Sequence, residues 1–363
     1  MFRREFWRNF DFWLFGAVLF LCIFGLIMIR STIAGNIELA NYVNRQATFF
    51  GIGIVVLFVV TVLDYRYWKS LSKYIYIFIL AFLGLILLIG TTSFGAQRWL
   101  EVGLVNIQPA ELSKIVVILV LAHYFSSSIN KRKNVRWMGT SALIVGGIVL
   151  PIYFQPNLST TILLVVIWFS MLWISGIPTK YVVIMGIVGV IGAISVFPFL
   201  EEYQQERILT FLQPDEEARY GNTYNVEQAL ITIGSGGLLG QGYGAATQVQ
   251  LRFLKVRSTD YIFSAIAAEF GFVGTLFIIA VLVFIILRCI KAAREAGDSY
   301  GALIAYGFAT LIGFQTMVNI GVNLRVIPVT GQTLPFISYG GSSLSSLLLG
   351  IGLIQSVLIH RKT

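Results

Sequence analysis

Apolar runs of about 17–25 residues recur along the whole chain, and each is long enough to cross the hydrocarbon core of a membrane as a helix. Of the 363 residues, 57% are hydrophobic and only 12% are charged, whereas roughly 25% of a typical soluble domain is charged. This composition excludes an ordinary soluble enzyme. We predict an all-α polytopic membrane protein with ten transmembrane helices, at residues 11–30, 46–63, 74–90, 109–126, 138–154, 159–175, 181–199, 261–287, 301–322 and 343–359.

The distribution of Lys and Arg predicts the orientation, because cytoplasmic loops of membrane proteins are enriched in these residues. With the N-terminus inside, the cytoplasmic loops carry 16 of the 26 cations and five of the 17 acids. Both termini are therefore predicted to be cytoplasmic, and the net charge of +9 signals orientation and not nucleic-acid binding. The basic N-terminus lacks a signal-peptide cleavage site, so we expect the first helix to be retained. Only Gln155-Pro156-Asn157 separates the fifth and sixth spans, which form either a tight hairpin or a broken pair.

Histidine and cysteine are too scarce for several kinds of site. The histidines are His123 and His360, and the cysteines are Cys22 and Cys289. A zinc or haem site would lack imidazole ligands, a Ser-His-Asp triad would lack an obvious base, and the two cysteines form neither a disulfide framework nor a CxxC motif. Any catalysis must therefore use carboxylates, Lys, Arg and backbone dipoles.

The longest connection, residues 200–260 on the predicted outer face, is a functional candidate because it is too long for a plain loop. It contains a glycine-rich run at residues 234–244, followed by Arg252, Lys255 and Arg257. The glycine-rich run lacks the Gly-Lys-Ser/Thr of a P-loop and the βαβ frame of a dinucleotide site. It is either a re-entrant or membrane-surface segment that packs closely through glycine, or a cradle in which amides and the three cations hold an anionic lipid head group.

Ionisable groups in or beside a membrane span are costly and mark candidate functional sites. Glu111 and Lys114 are three residues apart at the start of the fourth span, where they form either a structural ion pair or part of a polar cavity. Asp260 opens the eighth span, where a carboxylate ordinarily caps the helix. Glu269 lies nine residues further on, about 13 Å along a helix, and has either a structural partner or a functional role.

Three blocks of sequence resemble the signatures of one known family. Residues 95–100 and 108–114 are similar to its GARRW…QPSE-x-x-K block, residues 259–263 and 269–274 to its TDFIF…E-x-G-x-x-G block, and residues 328–343 to its PVTG-x-x-LPF-x-SYGGSS block. This is the RodA/FtsW family of bacterial cell-wall membrane proteins, also called SEDS proteins (shape, elongation, division and sporulation). The resemblance covers the whole chain as one transmembrane domain, residues 1–363, and the absence of long tails favours the RodA branch.

The resemblance implies a peptidoglycan glycosyltransferase that polymerises lipid II at the outer face of the bacterial cytoplasmic membrane during cell elongation, beside a class B penicillin-binding protein. It implies that Asp260 is the catalytic base, and that basic residues or a divalent cation (Mg²⁺ or Mn²⁺) offset the charge of the departing polyprenyl pyrophosphate. A flippase for lipid-linked precursors, a division-type polymerase and a scaffold are the alternatives. The residues expected to bind substrate or pyrophosphate are Arg98, Glu111, Lys114, Arg252, Lys255, Arg257, Glu269, Ser338 and Ser342.

Three positions depart from the family pattern. Gln97 replaces the first Arg of GARRW, which leaves Arg98 alone to meet a phosphate. Asn157 stands where the family often has Asp, so a carboxylate role is not expected there. Arg325 replaces a usual Gly and adds a cation to the outer face. None of these changes removes the base, so the expected activity is unaffected.

Overall fold

The computed structural model describes residues 7–33, 39–89, 91–93, 96–102, 105–128, 135–213 and 222–361. Three short strands follow the third helix: β1 (Thr91–Ser93), β2 (Ala96–Val102) and β3 (Val105–Ile107), paired antiparallel in the order β1-β2-β3. The helices are α1 (Phe12–Ile33), α2 (Tyr42–Val62), α3 (Arg66–Ile89), α4 (Pro109–Ser126), α5 (Val135–Phe154), α6 (Leu158–Ile174), α7 (Thr179–Val196), α8 (Glu202–Leu212), α9 (Asn222–Ser235), α10 (Thr247–Gln250), α11 (Ile262–Glu295), α12 (Ser299–Asn323) and α13 (Gly341–Ile359).

The predicted membrane architecture is confirmed. Within the described ranges, nine helices are long and apolar enough to span a membrane, and α6 is an apolar helix of 17 residues. Each of the ten predicted spans coincides with one of these helices. The small sheet at residues 91–107 was not predicted, because its strands are only three to seven residues long and lie in a connection rich in glycine.

The most buried helices are those that carry polar side chains. Most of α4, α12 and α13 is buried, and in α13 the buried share reaches 89%, whereas the described side chains of α7 lie at the periphery. Gln315 and Asn319 of α12 and Gln355 of α13 are among the buried polar residues. In a membrane the apolar faces can meet lipid, so the polar groups and their hydrogen bonds occupy the protein interior.

The fifth and sixth spans form a tight hairpin. Helix α5 ends at Phe154, α6 begins at Leu158, and the two helices pack against each other. Asn157 caps α6, because its side-chain oxygen accepts a hydrogen bond from the Thr160 N–H at 3.3 Å. An amide oxygen therefore suffices here, where the family often has a carboxylate.

Helix α11 is broken at Gly271, which has a φ of 66° and a ψ of −169°. The glycine-rich run lies against the break and completes its backbone hydrogen bonds. The carbonyls of Ala268 and Glu269 accept from the N–H groups of Gln241 and Gly242 at 2.9 and 3.0 Å. In return, the carbonyls of residues 237 and 238 accept from the N–H groups of residues 272 and 273 at 2.9 and 3.1 Å. Irregular backbone at membrane depth is thereby satisfied by protein, as it must be where water is absent.

Glycine makes this close backbone approach possible. A β-carbon on Gly236 would lie 2.0 Å from the Ala267 carbonyl oxygen, and one on Gly240 would lie 2.2 Å from the Glu269 carbonyl oxygen. Both distances are far inside van der Waals contact. The prediction that glycine in this run serves close backbone packing is confirmed.

Candidate active site

Asp260 lies two residues before the first residue of α11, at the outer end of the helix, and is half-buried. The N-cap position is Tyr261, and no side chain at that position caps the helix. Asp260 is therefore not the N-cap residue of α11, the role that the sequence suggested for it. Its backbone carbonyl accepts hydrogen bonds from the side-chain amides of Asn319 and Asn323 on α12, at 3.0 and 2.8 Å.

Asn323 also supplies the cap of α11 from outside that helix. Its side-chain oxygen accepts from the Ser264 N–H at 3.1 Å and from the Ser264 hydroxyl at 2.6 Å. Asn319 donates a further hydrogen bond to the Gln332 carbonyl at 2.8 Å. Both asparagines are almost fully buried, so α12 fixes the backbone on either side of Asp260.

The segment at residues 328–343 is held against the start of α11. The Ser338 hydroxyl donates to the Thr259 carbonyl at 2.7 Å and accepts from the Leu334 N–H at 2.8 Å. The Tyr339 N–H donates to the Ser258 carbonyl at 2.9 Å. Ser338 therefore organises this segment, and the substrate contact expected of it stays a prediction.

The same segment reaches the start of α4. The Ser342 hydroxyl, which is buried, accepts from the Gln108 N–H at 3.1 Å. The three sequence blocks that resembled one family thus meet in space, with the third block contacting each of the other two. Like Ser338, Ser342 contacts protein backbone.

Burial raises the pKa of Asp260 to about 6, and Arg207 of α8 and the Thr259 hydroxyl oppose this rise. The carboxylate is therefore mostly ionised at neutral pH, with a pKa close to the working range of a general base. Its Oδ2 lies beside Gly331, which has a φ of +75°, so the approach to the carboxylate is bordered by a residue without a side chain. Arg207 and Arg325 line a small pocket between α8, α9 and the segment after α12.

Glu111 and Lys114 form an ion pair in the first turn of α4. The Lys114 Nζ lies 2.6 Å from the Glu111 Oε2, with the Lys114 side chain 1% exposed and that of Glu111 12% exposed. The prediction that these two residues pair is confirmed, whereas a contact with substrate stays a prediction. The pair begins three residues after Gln108, which contacts Ser342, and the Glu111 N–H donates to the Gln108 carbonyl at 3.0 Å.

Glu269 is buried beside the break in α11 and accepts a hydrogen bond from the Ser31 hydroxyl of α1. Its backbone carbonyl accepts a hydrogen bond from the Gly242 N–H at 3.0 Å. Glu269 thus ties α1, α11 and the glycine-rich run together. This is the structural partnership that the sequence left open, and a contact with substrate stays a prediction.

The three predicted basic residues of the long connection separate into two groups. Arg257 is buried, and its guanidinium donates to the carbonyls of Thr32 at 2.5 Å and Leu254 at 3.3 Å. It therefore provides a hydrogen-bond donor to a carbonyl in the last turn of α1. The anion-binding role expected of this cluster stays a prediction, and Arg252 and Lys255 are the two members that are exposed. Arg98 lies in β2, and its side chain, like that of Gln97, falls outside the described residues.

Sequence reasoning missed Asn319, Asn323 and Arg207. The two asparagines lie four residues apart, hence on one face of α12, and Gln315 lies four residues before Asn319 on the same face of a mostly apolar span. An uncharged amide pair in a membrane helix was a signal that could have been read. Arg207 gave no such signal, because only the packing of α8 brings it to Asp260.

The family profile FtsW/RodA/SpoVE, described as a cell cycle protein, matches residues 12–363. The chain is 31% identical over 363 residues to the peptidoglycan glycosyltransferase MrdB of Escherichia coli K12, covering 99% of this chain and 97% of MrdB. Its fold is similar to that of a chain in a peptidoglycan synthase complex that coordinates polymerisation and crosslinking, with a TM-score of 0.83, 28% identity and coverage of 97% and 98%. It is also similar to the rod shape determining protein RodA of Thermus thermophilus, with a TM-score of 0.72, 28% identity and 98% coverage of each chain.

Proposed function

The chain belongs to the FtsW/RodA/SpoVE family of multi-pass membrane peptidoglycan glycosyltransferases, and from that premise we propose that it polymerises lipid II at the outer face of the cytoplasmic membrane with Asp260 as general base. The observation that carries the proposal is the Asp260 carboxylate. It stands at the outer end of α11 with a pKa near 6, beside the segment where the three sequence blocks meet. Similarity to rod-shape proteins supports a role in cell elongation.

In the proposed reaction, Asp260 removes the proton from the 4-hydroxyl of an acceptor N-acetylglucosamine. The oxygen forms a bond to the anomeric carbon of the donor N-acetylmuramic acid, and the bond from that carbon to the pyrophosphate oxygen breaks. Polyprenyl pyrophosphate leaves with the electron pair, and a single displacement converts the α-linked donor into a β-linked product. A positioned carboxylate contributes about 10²–10⁴-fold to such a step.

The leaving group gains negative charge, which fixed cations stabilise most effectively in a site that excludes water. The exposed Arg252 and Lys255 are the candidates on the long connection, and Lys114 is the candidate on α4. Within the described ranges no group of three or more His, Cys, Asp or Glu side chains could hold a metal ion. The divalent cation that the resemblance implies stays a prediction, and no step of the proposed mechanism is routed through it.

We also propose a class B penicillin-binding protein as the partner. The fold similarity to a chain of a complex that couples polymerisation with crosslinking supports this choice. A transpeptidase beside the glycosyltransferase would receive the nascent strand where it forms. Lipid II and polyprenyl pyrophosphate are the proposed small-molecule ligands.

A polymerisation assay in detergent tests the proposed function. The purified protein, with and without its cognate penicillin-binding protein, is incubated with lipid II, and the products are resolved by length. We expect glycan strands, since a polymerase needs no bilayer. A flippase would give no product in this assay and would move labelled lipid II across the bilayer of a proteoliposome, whereas a scaffold would do neither.

The ion pair between Glu111 and Lys114 yields a second prediction. The single change Lys114→Met should lower the free energy of unfolding by about 3–5 kcal/mol, because it leaves the Glu111 charge buried and unpaired. The double change Glu111→Gln/Lys114→Met should recover most of that loss and still show reduced polymerisation if the pair contacts substrate. Thermal unfolding in detergent and the polymerisation assay measure the two effects.

The ion pair between Asp11 and Arg288 provides the matched control, at 2.5 Å and at the cytoplasmic end of α1 and α11. The double change Asp11→Asn/Arg288→Gln should leave polymerisation unchanged. Full activity of the Glu111→Gln/Lys114→Met protein would show that the pair on α4 is only structural.

A further inference from the structure

A carboxylate next to a helix N-terminus normally turns back onto it. The first N–H groups of a helix lack partners within the helix, and Asp is among the side chains that best accept from them. A carboxylate used in this way is occupied as a hydrogen-bond acceptor and is stabilised in its charged form by the helix dipole. Both effects would weaken Asp260 as a base.

The structure gives this capping task to a side chain from another helix. Asn323 of α12 accepts the Ser264 N–H at 3.1 Å and the Ser264 hydroxyl at 2.6 Å. Its amide donates to the Asp260 carbonyl at 2.8 Å and to the Asn319 carbonyl at 2.8 Å. The Asn323 side chain is completely buried. Its oxygen accepts from the first turn of α11, and its amide nitrogen donates to the Asp260 carbonyl.

Asn319 holds the opposite side of the same junction. Its amide bridges the Asp260 carbonyl at 3.0 Å and the Gln332 carbonyl at 2.8 Å. Gln332 precedes the buried residues Leu334 and Phe336 and follows Gly331, which borders the Asp260 carboxylate. One amide therefore fixes the distance between Asp260 and the segment that faces it.

We infer that Asn319 and Asn323 are positioning residues, which cap α11 from α12 and so keep the Asp260 carboxylate off the helix terminus and available to the acceptor hydroxyl. This inference rests on the proposed function of Asp260 as base. Neither asparagine touches the reacting atoms. Their effect passes through the backbone carbonyl of Asp260 and the N-terminus of α11.

The charges around Asp260 make the inference testable by pH. Among the described residues, Arg207 of α8 acts on the Asp260 carboxylate by its charge and Thr259 of its own segment by a side-chain hydrogen bond. The residues of α12 and of the segment 328–343 that contact this junction are uncharged. In a plot of kcat/KM against pH, the rise on the acid side (the acid limb) reports the pKa of the base in the free enzyme. A new charge at position 323, or a new contact between the carboxylate and the helix terminus, should therefore shift this limb.

Two substitutions at Asn323 should shift this limb in opposite directions. In Asn323→Ala the Ser264 N–H loses its acceptor and draws the Asp260 carboxylate onto the helix terminus, which lowers the pKa of Asp260 and moves the limb to lower pH. In Asn323→Asp the acceptor for Ser264 is kept, whereas the two hydrogen bonds that the amide donates to the Asp260 and Asn319 carbonyls are lost. The second carboxylate near Asp260 raises its pKa and moves the limb to higher pH. We expect kcat to fall up to about 10²-fold in both proteins, since small misplacements of a base are that costly, with KM changing little.

The experiment measures polymerisation of lipid II in detergent from pH 5 to pH 9 for both variants, for Asn319→Ala and for Met317→Ala. Met317 is 56% exposed on the lipid side of α12 and should behave as the unsubstituted protein. The inference is overturned if Asn323→Ala and Asn323→Asp lose activity equally with an unmoved acid limb, or if both retain full activity. Asp260→Asn is assayed in parallel, because activity in that protein would refute the proposed base and not merely its positioning.

Discussion

Replacing Asp260 with Asn should reduce polymerisation by about 10²–10⁴-fold without loss of the folded protein. The amide keeps the shape of the side chain but cannot accept the proton of the acceptor hydroxyl. The loss should appear in kcat, because the leaving group and the sugars still bind. The measurement is the rate of strand formation from lipid II by purified protein in detergent.

The stability of the same variant gives an independent reading. The folded protein raises the pKa of Asp260 from 3.8 to about 6, so burial disfavours the ionised form. This cost is absent below the unfolded value, grows between pH 4 and pH 6, and is fully present above the folded value. Asp260→Asn should therefore unfold at the same or a higher temperature than the unsubstituted protein at pH 7.

Glu202→Gln is the matched control, since it removes an exposed acid from the same outer face and should leave both properties unchanged. If Asp260→Asn polymerised lipid II at the full rate, Asp260 would not be the base. If it unfolded at a much lower temperature, the carboxylate would have a structural role that its contacts do not show.

The second large effect is expected at Gly236. Alanine there places a β-carbon 2.0 Å from the Ala267 carbonyl oxygen, and backbone on both sides of the contact cannot yield easily. We expect a loss of about 3 kcal/mol in the free energy of unfolding, the upper end of overpacking costs. Because this contact holds the glycine-rich run against the break in α11, polymerisation should fall as well.

Gly234→Ala is a close control two residues earlier. No atom lies within 4 Å of the β-carbon that it would add, and alanine favours a helix over glycine by about 1 kcal/mol. This protein should be as stable as the unsubstituted one or slightly more stable. Thermal unfolding in detergent compares the pair, and equal stability of the two variants would show that the close backbone contact is not required.

Hydropathy and charge along the chain were sufficient to predict the membrane architecture. Each of the ten apolar runs became a helix because a backbone in lipid must satisfy its own hydrogen bonds, which leaves a helix as the simplest solution. The close packing of the glycine-rich run followed from the small side chains of residues 234–244. The short sheet at residues 91–107 did not follow, because strands of three residues carry too little pattern.

The sequence by itself determined the number of spans, their orientation and the three blocks that identify the family, since these depend on local composition. Only the tertiary structure decided how the ionisable groups are used. Arg257 turned inward to the Thr32 carbonyl 225 residues away, and the cap of α11 came from Asn323, 59 residues beyond Ser264. A carboxylate beside a helix terminus is a cap by local rules, whereas here the side chain that accepts from the first turn of α11 is Asn323 of a distant helix.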